Sequence, residues 1–390
     1  MEARNASLTL GLPRMHKEAG ERRDFLPSLV QRLCAHGVKV SVERGIGSGM
    51  GLAEAEYVKA GARVVEAREA WSQDVVLVLR SPEVEEFEAK LRPGSTLISM
   101  LHFPTRPRRI RKLVELGVDA ISLDSIADDS GQRLVENMRA VAWNGLEAAF
   151  DALEKTDPTL LEPGRGPVRV TVMGAGMVGK HAVEAASKYG RLDRARRMRE
   201  QGLAGVEVTV LGRDLTGDWR YMRERLRNTD VLVDATQRSD ASVPLVPNDW
   251  IAWLPSHAVL CDLVVDPYVL QGNPPTVRSL EGIPRGDLDQ YIFSPDDPDW
   301  MRTIPASIPT VHRRTVASCY SWPGVHPYEC MALYEEQLAP LLQTLFERGG
   351  TRGLRPDGSP FERALHRAWL GSWSGAVLGA QEAQQEAAGA

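Results

Sequence analysis

Residues 168–180 read Val-Arg-Val-Thr-Val-Met-Gly-Ala-Gly-Met-Val-Gly-Lys, and the rest of the chain is best understood from this segment. An alternating run of β-branched residues leads into Gly174, Gly176 and Gly179, and the apolar periodicity that follows predicts a helix. In such a strand–turn–helix unit the first glycine permits the turn, the second lets the backbone approach a pyrophosphate, and the third lets the helix pack on the strand. The N–H groups at the helix start then face the phosphates, so the segment predicts a dinucleotide site.

The composition is that of a globular protein with more than one domain. The chain has 390 residues, too many for one compact core, and 43% of them are hydrophobic and 25% charged. A net charge of -5 provides no basic footprint for nucleic acid or an anionic membrane. No apolar run is as long as a membrane span and the N-terminus lacks a signal segment, so we expect a cytoplasmic enzyme with a small-molecule partner. The four cysteines lack the spacing of a metal site, and no metal is expected.

Strand and helix patterns alternate before the glycine unit. The predicted strands are 7–12, 38–43, 62–65, 74–79, 95–100 and 119–123, and the predicted helices are 25–36, 53–60 and 106–115. Sequential βα units joined by short turns build a mostly parallel sheet. Residues 132–155 then carry apolar residues at helical spacing without a proline, which predicts a long helix that can bridge two domains.

A second α/β set follows the glycine unit, with predicted strands at 206–211, 230–234 and 258–265. An arginine-rich insert, residues 191–202, precedes the first of these strands, which therefore comes later than in a usual dinucleotide-binding fold. Charged stretches usually face water. We interpret the insert as a solvated helix extension, with a phosphate-binding patch as the alternative.

Several segments, in one order along the chain, resemble the alanine dehydrogenase and transhydrogenase superfamily, which includes lysine-forming saccharopine dehydrogenases. Residues 13–27, Pro-Arg-Met-His-Lys-Glu-Ala-Gly-Glu-Arg-Arg-Asp-Phe-Leu-Pro, are similar to the N-terminal signature of that superfamily. Residues 101–103, Leu-His-Phe, resemble the segment that carries its active-site histidine. Residues 123–133 and 322–342 resemble the saccharopine dehydrogenase branch in particular. The resemblance extends over residues 8–346 and keeps the family's order.

This resemblance implies an α/β fold with two domains, in which a Rossmann-type doubly wound dinucleotide-binding domain is inserted in an α/β substrate domain. We place the first segment of the substrate domain at 1–135, the Rossmann domain at 136–318, and the return to the substrate domain at 319–390. The last segment contains two predicted closing helices, 328–347 and 360–373, and ends in a flexible tail over 381–390. The active site is expected between the domains, which would close over the substrate. The sequence leaves a homo-oligomer open.

Three side chains of the first domain take a role from the resemblance. His102 matches the active-site histidine and is the candidate proton shuttle, since histidine exchanges protons near neutral pH; by residue type alone it would be interpreted as a buried core histidine. Arg22 matches the arginine that binds the substrate carboxylate through two hydrogen bonds, with a surface cation as the alternative. Arg80 stands where the family usually has a catalytic lysine. Because arginine stays charged, Arg80 can clamp a carboxylate but cannot act as a general base.

Two aspartates are further candidates. Asp266 matches the acidic residue near the nicotinamide in alanine dehydrogenases, where it would orient an ammonium group or hold a ribose hydroxyl. An aspartate that starts the turn before Pro267 is an equal alternative. Asp124 is a candidate substrate contact that shortens an acidic residue of the saccharopine enzymes, and Ser81 replaces another. These departures leave the identity of the substrate open.

The residues that follow the second strand of the glycine unit favour NADP as the cofactor. NAD enzymes place Asp or Glu there for the ribose 2′-hydroxyl, whereas an arginine accommodates the 2′-phosphate of NADP. This chain has Leu-Gly-Arg-Asp at 211–214, with glycine at the acidic position. NAD stays open, because Asp214 comes next in the sequence. The candidate cofactor contacts are Gly174, Gly176, Met177, Val178, Gly179, Gly212, Arg213, Asp234, Ala235 and Thr236.

The implied function is NAD(P)-dependent hydride transfer at the C–N bond of an amino acid or an N-carboxyalkyl amino acid, with an amino acid or 2-oxo acid as the small-molecule substrate. His102, Arg80 and Asp266 are the catalytic candidates. Arg80 in place of lysine keeps an alternative open, a dinucleotide-binding sensor or scaffold that has lost catalysis. A glycine turn after a first strand also serves methyltransferases, but that interpretation leaves His102 and Arg22 unexplained. A transhydrogenase subunit is a nearer variant.

Overall fold

Two sheets of mainly parallel strands organise the computed structural model, which describes residues 8–15, 18–162 and 164–373. The first compact unit contains Glu21–Glu136, the described residues that precede Glu18, and those that follow His326. The second contains Asn137–His326 with Glu18–Gly20. The predicted α/β fold class is confirmed, whereas the predicted domain boundaries after 135 and 318 stay predictions. The flexible tail predicted at 381–390 lies outside the described residues.

Six parallel strands form the sheet of the first unit. The elements in chain order are β1 (Thr9–Leu12), α1 (Pro27–Ala35), β2 (Lys39–Glu43), α2 (Glu54–Lys59), β3 (Arg63–Val65), α3 (Ala67–Ala70), β4 (Val75–Arg80), α4 (Val84–Glu88), β5 (Thr96–Met100), α5 (Pro107–Glu115) and β6 (Asp119–Ser122). The strand order is β3-β2-β1-β4-β5-β6, and each neighbouring pair is parallel. The carboxyl ends of β4, β5 and β6 therefore meet at one edge of the sheet.

Strand β4 illustrates how this sheet is covered on both faces. Its residues 75–79 read Val-Val-Leu-Val-Leu, and all of them are buried. Val75, Leu77 and Leu79 belong to one hydrophobic cluster, whereas Val76 and Val78 belong to another. Successive side chains of a strand point to opposite faces, so a parallel strand between two layers needs a continuous apolar run and not an alternating one.

The second unit is a doubly wound sheet. Its elements in chain order are α6 (Met138–Thr156), β7 (Val168–Met173), α7 (Met177–Ala186), α8 (Leu192–Glu200), β8 (Val206–Leu211), α9 (Arg213–Thr216), α10 (Trp219–Arg227), β9 (Val231–Asp234), α11 (Asn248–Ile251), β10 (Val259–Asp262), β11 (Ile292–Phe293) and β12 (Thr315–Ser318). The strand order is β11-β12-β10-β9-β7-β8, and the short edge strand β11 is antiparallel to β12. The chain forms β8 on one side of β7 and then β9 on the other. Ligands of such sheets bind at the carboxyl ends of the strands at this switch point.

Helix α6 begins later than the sequence pattern predicted. The pattern covered 132–155, but the side chain of Asn137 caps the helix by accepting a hydrogen bond from the Ala140 N–H at 3.3 Å. The segment before the cap is irregular, and the Leu134 N–H donates to the Ile126 carbonyl at 2.9 Å. Leu134 and Val135, the apolar residues at the start of the pattern, therefore belong to a partly buried loop and not to the helix.

The arginine-rich insert forms a separate helix, α8, that packs against α6. The Arg194 side chain is 1% exposed, and its guanidinium pairs with the carboxylates of Asp151 and Glu154 on α6. Arg191 lies 3.3 Å from Glu147 on the same side of α6. A row of acidic residues on one helix thus faces a row of arginines on the other. As interpreted from the sequence, the insert is helical and most of its residues are exposed, but it is a separate helix and not an extension of α7, and Arg194 is buried against α6.

The chain returns to the first unit with α12 (Pro327–Glu347) and α13 (Pro360–Ala368). Leu338 and Leu342 of α12 pack in the cluster that also contains residues of α1. The predicted helix 360–373 is interrupted: α13 ends at Ala368, Trp369 is extended and bridges to Ile121 of β6, and residues 370–373 are again helical. Across the described parts of the chain, no helix combines the length and the apolar character that a bilayer span needs.

Candidate functional site

The turn between β7 and α7 has no room for a side chain at two of its glycines. Gly174 has a φ of 97°, in the left-handed region that favours glycine, and a Cβ there would lie 2.6 Å from the carbonyl oxygen of Ala235. A Cβ at Gly179 would lie 2.1 Å from the carbonyl oxygen of Gly174. Both obstacles are backbone atoms, which cannot turn away as a flexible side chain can. Strand, helix and the loop after β9 therefore approach one another closely because these positions are glycine.

The same turn opens onto a cavity of about 460 Å³. Gly176 lines this cavity, and a Cβ at Gly176 would meet no atom within 4 Å, so the backbone is accessible to a ligand here. Helix α7 begins directly after Gly176, and the N–H groups of its first turn have no acceptor within the helix. An accessible backbone next to a helix N-terminus suits a pyrophosphate. The residues present therefore fit a dinucleotide.

Part of the set of candidate cofactor contacts lines the cavity. These residues are Gly174, Gly176, Gly212, Arg213, Ala235 and Thr236. The others, Met177, Val178, Gly179 and Asp234, lie outside the lining, and their contact with a cofactor stays a prediction. Arg213 is exposed, and its guanidinium donates a hydrogen bond to the carbonyl oxygen of Gln237 at 3.2 Å. A cation therefore lies at the cavity wall directly after β8.

The carboxyl group of Asp234 supports the loop that carries Thr236. Asp234 ends β9, is 1% exposed, and stands in register with Asp262, the last residue of β10. The backbone N–H and the hydroxyl of Thr236 donate to Asp234 Oδ1 at 3.1 Å and 2.7 Å. Burial, together with the neighbouring Asp262 carboxylate, raises the pKa of Asp234. Asp234 thus fixes the backbone of a residue that lines the cavity.

The sequence analysis did not identify the buried ion pair between Arg278 and Asp262. Arg278 is 1% exposed, and its guanidinium binds the Asp262 carboxylate and also the Ser318 hydroxyl at 2.8 Å. A buried carboxylate next to Asp234 is costly unless an opposite charge accompanies it, and Arg278 supplies that charge. Arg278 lies in a segment without a helix or strand pattern, so the sequence contains no signal for this partner.

Asp266 follows β10 and is connected with the cavity wall through an arginine. Its side chain is 32% exposed, and its Oδ2 accepts a hydrogen bond from Arg238 Nη2 at 2.6 Å. Arg238 itself lines the cavity. The sequence analysis did not identify Arg238, because nothing in the local pattern distinguishes it from a surface arginine.

His102 and Asp124 form a pair at the carboxyl edge of the first sheet, where they follow the neighbouring strands β5 and β6. The backbone N–H of His102 donates to Asp124 Oδ1 at 3.1 Å, and His102 Nδ1 lies 3.2 Å from Asp124 Oδ2. His102 has a left-handed backbone with a φ of 50°, and its side chain is 52% exposed. The imidazole is therefore held on one side by a carboxylate and remains accessible on the other.

The Asp124 carboxylate is stabilised in its charged form. Burial alone would raise its pKa, but hydrogen bonds from His102 and Ser122 outweigh burial and lower the pKa of Asp124 to about 2. The Ser122 hydroxyl donates to Asp124 Oδ1 at 2.7 Å. When the imidazole is neutral, a carboxylate next to Nδ1 holds the ring in the tautomer with its proton on Nδ1, which leaves Nε2 as an acceptor. The pair can therefore accept a proton at Nε2.

Arg22 and Arg80 lie near a buried ion pair that the sequence analysis did not identify. The Arg23 guanidinium donates to the Glu21 carboxylate at 2.9 Å and 2.6 Å, and both residues are buried. Burial would raise the pKa of Glu21, but Arg23 and the charge of Arg80 lower it. Arg80 ends β4 and is half-buried, whereas Arg22 is exposed and donates its backbone N–H to Glu21 at 3.1 Å. The Glu21 carboxylate thus binds one guanidinium directly, that of Arg23, and lies within the electrostatic influence of a second, that of Arg80.

Known proteins resemble this chain in sequence and in fold. Residues 11–142 match the family described as Alanine dehydrogenase/PNT, N-terminal domain. The alanine dehydrogenase of Geobacillus stearothermophilus is 30% identical over 274 residues, which are 66% of this chain and 72% of that protein. The alanine dehydrogenase of Halomonas elongata is 29% identical over 286 residues, 66% of this chain and 73% of that protein.

One of the similar solved structures is an L-alanine dehydrogenase. The two structures superpose with a TM-score of 0.69 at 22% sequence identity, and the superposition covers 93% of this chain and 94% of the alanine dehydrogenase chain. At this level of identity the likeness concerns the fold alone. It confirms the two-domain α/β fold with a Rossmann-type unit that was expected from the sequence.

We predict that Gly179→Ala separates α7 from β7 and weakens dinucleotide binding. A Cβ at this position meets the Gly174 carbonyl oxygen at 2.1 Å, and overpacking of this kind costs about 1–3 kcal/mol of unfolding free energy. We expect the affinity for NADH or NADPH, measured by fluorescence titration, to fall by about tenfold or more. The control is Gly166→Ala, where a Cβ meets no atom within 4 Å. Wild-type affinity in the Gly179 variant would contradict the phosphate-binding role of this turn.

We predict that Asp124 contributes to stability above its unfolded pKa and that this contribution is lost on acidification. The folded pKa lies near 2, below the ordinary value of an aspartate in an unfolded chain, so the contribution is present above about pH 4 and disappears as the pH falls towards 2. Asp124→Asn should therefore lower the unfolding free energy by about 1–2 kcal/mol at pH 6 and by less at pH 3.5.

Denaturant titration at the two pH values measures the difference, and Asp357→Asn is the control because Asp357 is an exposed carboxylate of the same unit. The control should show no such pH-dependent gap from wild type. If the difference in unfolding free energy between wild type and Asp124→Asn stays constant or grows on acidification, the lowered pKa of Asp124 is refuted.

Proposed function

Since the chain belongs to the Alanine dehydrogenase/PNT family, we propose that it is an NAD(P)-dependent oxidoreductase that acts on the C–N bond of an amino acid or an N-carboxyalkyl amino acid. In the oxidative direction the Cα–H bond breaks as hydride leaves, the amine nitrogen releases a proton, and a C=N bond forms. Water then adds to the imine, and the amine leaves to give a 2-oxo acid. A nicotinamide cofactor, when bound, supplies the hydride acceptor or donor.

The observation that carries this proposal is the pairing of His102 with Asp124. Asp124 stays charged and holds Nδ1, and the half-exposed imidazole can take the amine proton at Nε2 or return it in the reductive direction. A histidine packed in a core would be buried, whereas the His102 side chain is 52% exposed. His102 is the proton shuttle, and Asp124 orients it.

Arg22 and Arg80 bind the substrate carboxylate in this proposal. Each guanidinium can form two parallel hydrogen bonds with a carboxylate, and neither can serve as a base at physiological pH. Proton transfer therefore depends on His102. Because Arg23 is paired with Glu21, the proposal assigns carboxylate binding to Arg22 and Arg80, and two such guanidinium groups suit a substrate with two carboxylates, as the N-carboxyalkyl amino acids have.

The second candidate function is a dinucleotide-binding sensor without catalysis. Arg80 favours it, because the residue stands where relatives usually have a catalytic lysine and cannot release a proton. The two candidates share the nucleotide site and differ in turnover. Measurement of cofactor binding and of turnover on the same preparation therefore distinguishes them.

We expect the purified protein to form reduced nicotinamide from the oxidised cofactor when it is tested against a panel of amino acids. In the reverse direction, we expect it to consume reduced nicotinamide when it is tested against a panel of 2-oxo acids with ammonium or an amino-acid amine. Both reactions are followed by the absorbance of the reduced nicotinamide. His102→Asn should lower kcat by about a hundredfold or more, as loss of a general acid–base does, and leave the affinity for the cofactor unchanged. His36→Asn is the control, since His36 is exposed at the end of α1.

Three results separate the hypotheses. Turnover that survives in His102→Asn would remove the histidine from the mechanism. Cofactor binding without turnover on any substrate of the panel would favour the sensor. Absence of cofactor binding would refute both.

For the cofactor, we expect NADPH to bind more tightly than NADH. Gly212 stands directly after β8 where NAD-binding Rossmann folds place a carboxylate, and Arg213, the next residue, lines the cavity. Arg213→Ala should weaken NADPH binding by about ten- to a hundredfold, because a hydrogen-bonded phosphate loses a charged partner, and should change NADH binding by less than about threefold. Arg220→Ala, an exposed arginine of α10, is the control. A clear preference of the wild type for NADH would overturn this choice.

A further inference from the structure

The turn that presents Asp266 is held in a strained conformation. Val265 has a φ of 56°, which a β-branched residue adopts only when its surroundings impose it, at a cost of about 1–3 kcal/mol. The backbone N–H groups of Val264 and Val265 donate to Asp262 Oδ1 at 3.0 Å and 2.9 Å. Arg278 in turn holds the Asp262 carboxylate in place. The direction in which the chain enters Asp266 is therefore fixed by buried groups.

A single arginine joins this turn to two other segments. The Arg238 side chain is 8% exposed, and its Nη2 donates to Asp266 Oδ2 and to the Val277 carbonyl oxygen, each at 2.6 Å. Its Nη1 donates to the Val243 carbonyl oxygen at 2.8 Å. The planar guanidinium fork is required for this, because a lysine ammonium cannot reach acceptors in three directions from one fixed plane. The position and the charge of Asp266 thus depend on Arg238.

The same arginine lines the cavity of the glycine turn, beside Ala235 and Thr236. Arg238 therefore contacts both the space that fits a dinucleotide and the carboxylate that follows β10. The Asp266 side chain is 32% exposed although it is paired with Arg238, so a ligand can reach its carboxylate. In a core ion pair both side chains would be buried, and in a surface ion pair both would be exposed; here only the arginine is buried.

We propose that Arg238 is a positioning residue that neutralises Asp266 and orients it towards the nicotinamide part of the cofactor. This inference rests on the proposed function, and it takes the place of Asp266 near the nicotinamide from what the family resemblance implies for that residue. Paired with Arg238, the carboxylate accepts hydrogen bonds from a ribose hydroxyl or a substrate ammonium group without acting as a bare negative charge. The electrostatic contribution of the pair to binding is then nearly the same for the cationic oxidised ring and for the neutral reduced ring.

The charge balance makes a specific prediction for cofactor binding. In Arg238→Met the uncompensated Asp266 attracts the cationic oxidised ring, so the ratio of the dissociation constants of oxidised and reduced cofactor should fall by about three- to tenfold. In Asp266→Asn the uncompensated Arg238 repels the cationic ring, so the ratio should rise by a similar factor. The double variant Arg238→Met/Asp266→Asn should return to within about twofold of the wild type, as expected for two residues that act as a pair.

The measurement is titration of each protein with the oxidised and the reduced forms of one cofactor, followed by protein fluorescence, at fixed ionic strength. Arg220→Met is the matched control, an exposed arginine of the same unit. Arg238→Lys retains the positive charge but not the planar fork, so its ratio should lie closer to the wild type than that of Arg238→Met. If Arg238→Met does not fold, the opposite shift in Asp266→Asn still tests the pair.

Equal weakening of both cofactor forms in Arg238→Met by tenfold or more would overturn the inference in favour of a direct phosphate contact. An unchanged ratio in both single variants, or a double variant that keeps the ratio of Arg238→Met, would overturn it as well. Because these are binding measurements, lack of turnover leaves them valid. Lack of any cofactor binding by the wild type would instead refute the proposed function, and this inference with it.

Discussion

The second unit depends on one close approach, the contact between Gly179 of α7 and the carbonyl group of Gly174 at the end of β7. A single Cβ at Gly179 would lie 2.1 Å from that oxygen, and a Cβ at Gly174 would lie 2.6 Å from the Ala235 carbonyl oxygen. Three backbone segments therefore meet without side chains between them. Because they do, the N-terminus of α7 lies at the cavity, and part of the cavity wall is bare backbone. A phosphate can be bound by N–H groups only where side chains do not cover them.

Topology explains why the candidate residues of each unit lie together. In the first unit, Arg80, His102 and Asp124 follow the carboxyl ends of β4, β5 and β6, which are neighbours in a parallel sheet. In the second unit, the glycine turn and the loop after β9 follow neighbouring strands at the switch point of the sheet. Residues far apart in sequence are brought together because parallel strands end at the same edge. Because the strands already bring these loops together, the loops need not contact one another to form a site, and their side chains can be polar.

The sequence predicted features that a local pattern encodes and missed those that depend on a distant partner. Buried strands such as β4 and the glycine turn were predictable, since each is a property of a few consecutive residues. The start of α6 was placed too early because the apolar residues Leu134 and Val135, which pack from an irregular segment, happen to continue the apolar spacing of the helix. Arg194, Arg238 and Arg278 were missed as structural groups, because a local window cannot reveal which carboxylate an arginine meets in the fold.

The missed arginines share a physical role. A bare charge in a partly buried site is costly, and proteins offset this cost with a hydrogen-bonded partner of opposite sign. Arg23 accompanies Glu21, Arg278 accompanies Asp262, and Arg238 accompanies Asp266. In each pair the carboxylate keeps its geometry while its charge is largely cancelled, so the binding of a further anion depends on cations outside these pairs. Arg213 is such a cation, since it lines the cavity and its guanidinium donates to a neutral carbonyl group and not to a carboxylate.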